Sequence, residues 1–310
     1  MKFTIFQNSR QGPRPYNQDR LAYSYSKDAL LLVVADGMGG HKNGEIAAQL
    51  AVTTMTEAFQ RLAVPTLSSP AKFLIEHIQQ IHDMIDQLTQ AHEMLESPRT
   101  TIVAAVVQRG MLYCAHVGDS RLYHFRDGHL LYRTEDHSIV QSLYNKGMIE
   151  KGDMSTHPYR HKVYSCLGGD TPPKIDLSDR HELAEGDTIL LCTDGVWGAV
   201  ADDHMRRILN SPSITDSVTE LLNQAEYVSQ QQGDNMSAIG LQWGDKLSSS
   251  LAVSTVTMAM GSTTTIINPV TNPSQENLAE DGTLNKDLTA DEIENTIKEI
   301  QEALRKTQRI

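Results

Sequence analysis

The chain has 310 residues, 39% of them hydrophobic, a formal net charge of −12 and a pI near 5.4. That length suits one large domain or two small ones. The acidic balance speaks against the basic face of a nucleic-acid binder and against attraction to an anionic membrane. Cys114, Cys166 and Cys192 are odd in number and widely spaced, so neither a disulfide framework nor a zinc site is indicated. The N-terminal MKFTIFQNSRQG lacks a secretory core and no apolar run is long enough to span a bilayer, which predicts a cytoplasmic protein.

Strands are expected at 2–6 and 21–25, followed by the apolar run ALLLVVA at 29–35, which stops at Asp36-Gly37. Helix 44–61 carries Ile46, Leu50 and Met55 near helical spacing. Helix 71–95 carries Leu74, Ile78, Ile81, Ile85 and Leu88. Short strands at 101–107, 111–117, 121–126 and 129–133, separated by Arg109-Gly110 and Asp127-Gly128, read as an antiparallel meander. A helix is expected over 136–146, then an irregular excursion over 147–173. A second apolar strand at 188–193 stops at Asp194-Gly195. Helices at 202–209 and 214–229 and a strand at 237–243 complete residues 1–244. Strands and helices come in blocks, which predicts an α+β domain.

Residues 247–275 contain no charge and are rich in Ser, Thr, Asn and Gly, so 245–287 is expected to be a flexible linker. The hydroxyls between Ser254 and Thr265 are either a polar spacer or a target for a kinase. An amphipathic helix is expected at 288–307, with a capping box of Thr289 and Glu292 and a seam of Ile293, Ile297, Ile300 and Leu304. Such a helix either packs back on its own domain or docks to a partner or a second copy.

Chemistry concentrates at strand ends. Two apolar strands each run into Asp-Gly, at Asp36 and Asp194, and Gly233-Asp234-Asn235 precedes the last strand. One Asp-Gly is an ordinary turn. Three carboxylates beside buried strands are costly unless cations pair with them. An oxygen-only donor set suits Mg²⁺ or Mn²⁺. Asp119, in the turn Gly118-Asp119-Ser120-Arg121, is a fourth candidate.

Five segments in order, Arg14 to Asp19 (RPYNQD), Val34 to Gly40 (VADGMGG), Gly118 to Arg121 (GDSR), Cys192 to Trp197 (CTDGVW) and Gly233 to Ser237 (GDNMS), resemble the metal-dependent protein phosphatases of type 2C, in particular their bacterial branch. The resemblance implies a four-layer α/β/β/α sandwich of two antiparallel sheets flanked by helix pairs. It also implies hydrolysis of phosphoserine and phosphothreonine by water activated at two Mn²⁺ or Mg²⁺ ions, reversing a cognate kinase. By the same resemblance, Asp36 would bridge both ions, the Gly37 carbonyl would join one, and Asp194 and Asp234 would complete the other. Asp119 would serve a weaker third ion, and Arg14 would hold the substrate phosphate. Asn17, Asp19 and Asn235 would support the metal site, and 147–173 would be the flap bordering it.

Some positions depart from relatives. Met38 stands where some carry a general-acid His, leaving His41 as the nearest imidazole in sequence. Gln18 replaces an acid, and Gly198 stands where others place a further third-metal acid. His157 and Arg160 are the flap residues able to meet substrate. The alternatives to a protein phosphatase are a pseudophosphatase kept as a binding module and a hydrolase of small phosphomonoesters.

Overall fold

The computed structural model describes residues 1–38, 43–244 and 252–267. Two antiparallel sheets lie face to face. In the first, β1 (Lys2–Arg10) pairs with β11 (Met236–Trp243), which continues through β10 (Thr188–Cys192) and β6 (Arg121–Arg126) to β7 (His129–Arg133). In the second, β2 (Asp19–Tyr25), β3 (Ala29–Asp36), β4 (Ile102–Gln108) and β5 (Met111–Val117) follow in spatial order. The two-residue strands β8 (Asp176–Leu177) and β9 (His181–Glu182) both pair with β5.

The continuous apolar runs follow from burial on both faces, where alternate side chains enter different cores. Along β3, Leu30, Leu32 and Val34 pack between the sheets against Ile189, Leu191 and Ile239. Leu31, Val33 and Ala35 face the other way, into α1 (Gly44–Leu62) and α2 (Pro70–Ala91). In β10 and β11, Leu190, Cys192 and Ala238 turn outward against α5 (Asp202–Leu209) and α6 (Ile214–Ser229). The layers are therefore helix, sheet, sheet, helix, as the family resemblance implies.

Helix α2 starts at a Ser69 cap with Pro70 in its first turn and ends at Ala91, four residues before the expected stop. The helix expected over 136–146 is confined to α3 (Ile139–Asn145), capped by Ser138. A one-turn helix, α4 (Asp194–Trp197), was not anticipated.

The largest departure lies in the expected linker. Residues 252–254 form β12, which pairs with β1, and 264–267 form β13, which pairs with β2. The two strands occupy the outer edges of the two sheets. Between them, Thr255 is fully buried. Its hydroxyl meets the Met1 amino group at 2.7 Å and the Lys27 carbonyl at 2.6 Å. Edge pairing satisfies backbone groups without needing a core of its own, so a charge-free, Thr-rich segment can be ordered there. The amphipathic helix expected at 288–307 lies outside the described residues, as does His41.

Candidate active site

Antiparallel pairing brings distant carboxylates to one end of the sandwich. β3 ends at Asp36, whose cross-strand partner is Asp19 at the start of β2. β10 ends one residue before Thr193 and so two before Asp194, and its neighbour β11 begins two residues after Asp234. Asp119 sits in the turn between β5 and β6. Asp36, Asp119, Asp194 and Asp234 line one cavity of about 700 Å³, together with Arg14.

Two close approaches make this convergence possible. Gly118 has a φ of +102°, and a Cβ there would sit 2.6 Å from Thr101. A Cβ on Gly195 would sit 2.1 Å from the Asn235 carbonyl oxygen, so only glycine lets the strand-end turn of Asp194 reach that of Asp234.

The electrostatics are those of crowded like charges. Burial raises the pKa of Asp36 well above the carboxylate range, and Asp19, Asp194, Asp119 and Asp234 raise it further. Burial and the charges of Asp194 and Asp136 do the same for Asp119, against opposition from Arg121. Asp194 is pushed up to about 6 by burial and Asp234, a rise limited by a hydrogen bond with Asp36 and by Arg14. Asp19, 1% exposed, is pushed up to about 7, chiefly by burial, although Ser237 and Thr193 hydrogen-bond it. Its Oδ1 is buried with no hydrogen-bond partner. Carboxylates so placed resist ionising together unless a cation intervenes. Oxygen donors alone, with the thiols of Cys114 and Cys192 buried elsewhere, form a set that fits hard divalent ions.

The remaining expected residues fall into different places. Arg14 faces the cavity and donates from Nη2 to Asp234 Oδ2 at 2.7 Å. Gly37 packs against Gly44 and Gln18 beside Asp36, and its N–H donates to the Gln18 carbonyl at 3.3 Å. Asn17 holds the chain locally: Oδ1 accepts the Asp19 N–H at 3.0 Å and Nδ2 donates to the Ser9 hydroxyl oxygen at 2.8 Å. Asn235 binds the Arg14 loop, donating to the carbonyls of Gln11 at 2.8 Å and Tyr16 at 3.1 Å and accepting the Gln18 N–H at 2.8 Å. Both asparagines thus fix chain segments rather than face the cavity. Gln18 itself donates to Glu45 at 2.9 Å.

Met38, Gly198 and the flap residues Arg160, His161 and Val163 line the cavity; His157 is not among its lining residues. Sequence reading did not single out Thr193, which is buried and donates to Asp19 Oδ2 at 3.0 Å while accepting the Ser237 N–H at 3.1 Å. It also missed the purpose of Trp197, whose Nε1 donates to the Asp119 carbonyl at 2.9 Å. The position of Thr193, between a buried strand and Asp194, was the available signal.

A family model described as Protein phosphatase 2C matches residues 9–236. The serine/threonine phosphatase stp of Listeria welshimeri is 33% identical over 208 residues, covering 66% of this chain and 82% of that protein. PstP of Mycobacterium tuberculosis is 31% identical over 202 residues, 64% of this chain and 37% of the longer relative. Among solved structures, the S. agalactiae serine/threonine phosphatase superposes with a TM-score of 0.71 at 28% identity, covering 78% of this chain and all of that one. The catalytic domain of PstP in complex with two manganese ions superposes at 0.63 with 27% identity, over 78% of this chain and 98% of that one. With the strand-end carboxylates in a shared cavity and the match running from before the first motif segment into the fifth, the chain belongs to the protein phosphatase 2C family.

Proposed function

We propose that the chain is a metal-dependent protein phosphatase that hydrolyses phosphoserine and phosphothreonine. The observation that carries this is the single cavity shared by Asp36, Asp119, Asp194, Asp234 and Arg14. Asp36, Asp194 and Asp234, with the Gly37 carbonyl, would hold two Mg²⁺ or Mn²⁺ ions, and Asp119 a weaker third. When bound, the ions supply Lewis acidity toward the phosphoryl oxygens and the attacking water.

The protein's own groups supply the rest. Arg14 offers a planar guanidinium to the equatorial phosphate oxygens, a match in geometry and charge. Asp36, hydrogen-bonded with Asp194 and paired across the strands with Asp19, also feels the charges of Asp119 and Asp234, which suits it to lie between two cations. Asn235 keeps the Arg14 loop against Asp234. Met38 has no proton to give the leaving oxygen. His161 is the imidazole on the described cavity wall, and burial together with Arg160 and Arg14 lowers its pKa, which favours the neutral ring.

The retained carboxylates and arginine favour an enzyme over a binding module. Substrates would be the products of a serine/threonine kinase, and the cytoplasm is the proposed site of action. Among the described residues no helix is long and apolar enough to cross a membrane. Hydrolysis of a phosphothreonine peptide with Mn²⁺, then with EDTA, and by Asp36→Asn decides the matter. Activity is expected only in the first case; turnover that survives both EDTA and the substitution refutes the metal-dependent function.

A further inference from the structure

The turn that carries Asp119 is held at each of its residues. Gly118 donates its N–H to His137 Nδ1 at 3.2 Å and accepts the His137 N–H at 2.9 Å. The Asp119 carbonyl accepts from Trp197, Ser120 meets Thr101 at 2.7 Å, and Arg121 grips Asp136 at 2.7 and 2.6 Å. His137 therefore contacts the turn at two points, through its ring, which is 1% exposed, and through its backbone N–H. Because Nδ1 accepts, the ring proton of the neutral imidazole is on Nε2. That atom is 3.0 Å from Asp176 Oδ2, with its N–H off the line to the oxygen. The ring stacks on His116 at 4.7 Å.

The same residue reaches the flap. Its carbonyl accepts the Tyr164 N–H at 2.8 Å, Ile139 donates to the Lys162 carbonyl at 2.8 Å, and Ser138 bridges Val163. Arg160 and His161, just before this attachment, and Val163, within it, line the cavity.

We propose that His137 is a positioning residue that locks the Asp119 turn and the return of the flap into one geometry, a role that rests on the phosphatase function proposed above. The ligating atoms of His116, His137 and Asp176 do lie within 4.8 Å of one another, a spacing that a metal ion could also use. A metal on His137 Nε2 would drive the ring proton to Nδ1, donor against donor with the Gly118 N–H. Lys174 already pairs with Asp176 at 2.8 Å. Positioning explains these contacts and a metal does not.

The test compares His137→Asn, whose Oδ1 can still accept from Gly118, with His137→Gln, whose amide reaches toward Asp176 and leaves Gly118 unpaired. Calorimetric Mn²⁺ titration of His137→Gln should weaken the weakest binding step at least about tenfold and leave the tighter steps unchanged, with His137→Asn near wild type. Amide hydrogen exchange should accelerate at Gly118 and Tyr164 together in His137→Gln. In peptide hydrolysis, His137→Gln should add no further loss to Asp119→Asn, because the two act through one element. Unchanged Mn²⁺ binding, exchange that accelerates at Gly118 alone, or independent additive losses would each overturn the coupling. So would stoichiometric Zn²⁺ binding to an Asp36→Asn background that His137→Gln abolishes. Should wild type fail to cleave the peptide, the phosphatase function falls, while the Mn²⁺ titration and exchange data still decide the role of His137.

Discussion

Two regions of this sandwich bury aspartates, and they treat them in opposite ways. At the cavity end, Asp36, Asp119 and Asp194 face one another and burial lifts their pKa values. In the turn entering β10, Asp187 is completely buried, yet its pKa is lowered. Burial alone would raise it, but Arg126 at 2.8 Å, His124 at 2.8 Å and the Ala184 N–H at 2.9 Å together outweigh that cost. The protein supplies every partner that Asp187 needs. For the cavity aspartates it supplies chiefly more negative charge. A buried carboxylate satisfied from within is a structural element, whereas a group of them left in mutual repulsion is what the proposed cation site requires.

The widest separation between the regions should appear in activity. With Mn²⁺ present, Asp36→Asn is expected to lower turnover at least about 10³-fold, since it removes the ligand proposed to lie between two cations. Asp187→Asn should leave turnover within about twofold of wild type, because Asp187 touches nothing in the cavity. Stability should show the reverse order. Asp187→Ala leaves His124, Arg126 and the Ala184 N–H without their shared acceptor and should cost about 3–5 kcal/mol in urea unfolding. In EDTA, Asp36→Asn should stabilise the fold, since it relieves repulsion. A cavity variant less stable than wild type in EDTA would break the comparison.

Much of the first region was legible and little of the second. Asp36 and Asp194 announce themselves as acids ending apolar strands, a local pattern that any reading of hydrophobic runs detects. Asp187 lies 63 residues from His124 and 61 from Arg126, and no local pattern marks it. The partners occupy alternate positions on β6, a register that only the folded sheet reveals. Asn17 and Asn235 enter through the family resemblance alone, and in the fold their amides tie down neighbouring chain segments. Strands β12 and β13 lie in a charge-free segment whose composition alone reads as a linker. The β-branched residues Val253, Thr264, Thr265, Ile266 and Ile267 were the overlooked signal.

The two regions should also respond to pH with opposite sign. Asp187, depressed in the fold, contributes stability that is present above about pH 3.9, its value in the unfolded chain, and lost as pH falls through its folded pKa. Asp194 and Asp19, raised to about 6 and about 7, contribute stability present below the unfolded value and lost as pH rises through those folded values. Metal-free protein should therefore gain more from added Mn²⁺ at pH 7.5 than at pH 5, read as the shift in urea midpoint. An equal shift at both would show that the cavity carboxylates are not the groups responsible.

The smallest expected effect tests where Asp19 belongs. It is an intermediate case: Oδ2 accepts from Thr193, as a carboxylate in the structural region would, while Oδ1 is buried without a partner and the carboxyl feels the charges of Asp194 and Asp234. Thr193→Val keeps the shape and removes the hydroxyl, leaving both Asp19 Oδ2 and the Ser237 N–H one hydrogen bond short. If Asp19 is ionised in the folded protein with Mn²⁺ bound, that loss is a hydrogen bond to a charge, and the variant should be about 1.5–3 kcal/mol less stable. In EDTA at pH 5, where a pKa near 7 keeps Asp19 protonated, the cost should shrink to about 1 kcal/mol. The difference between the two conditions reports how far bound cations pull Asp19 toward ionisation. An equal cost in both would place it with Asp187, as a carboxylate whose charge is settled by the fold alone.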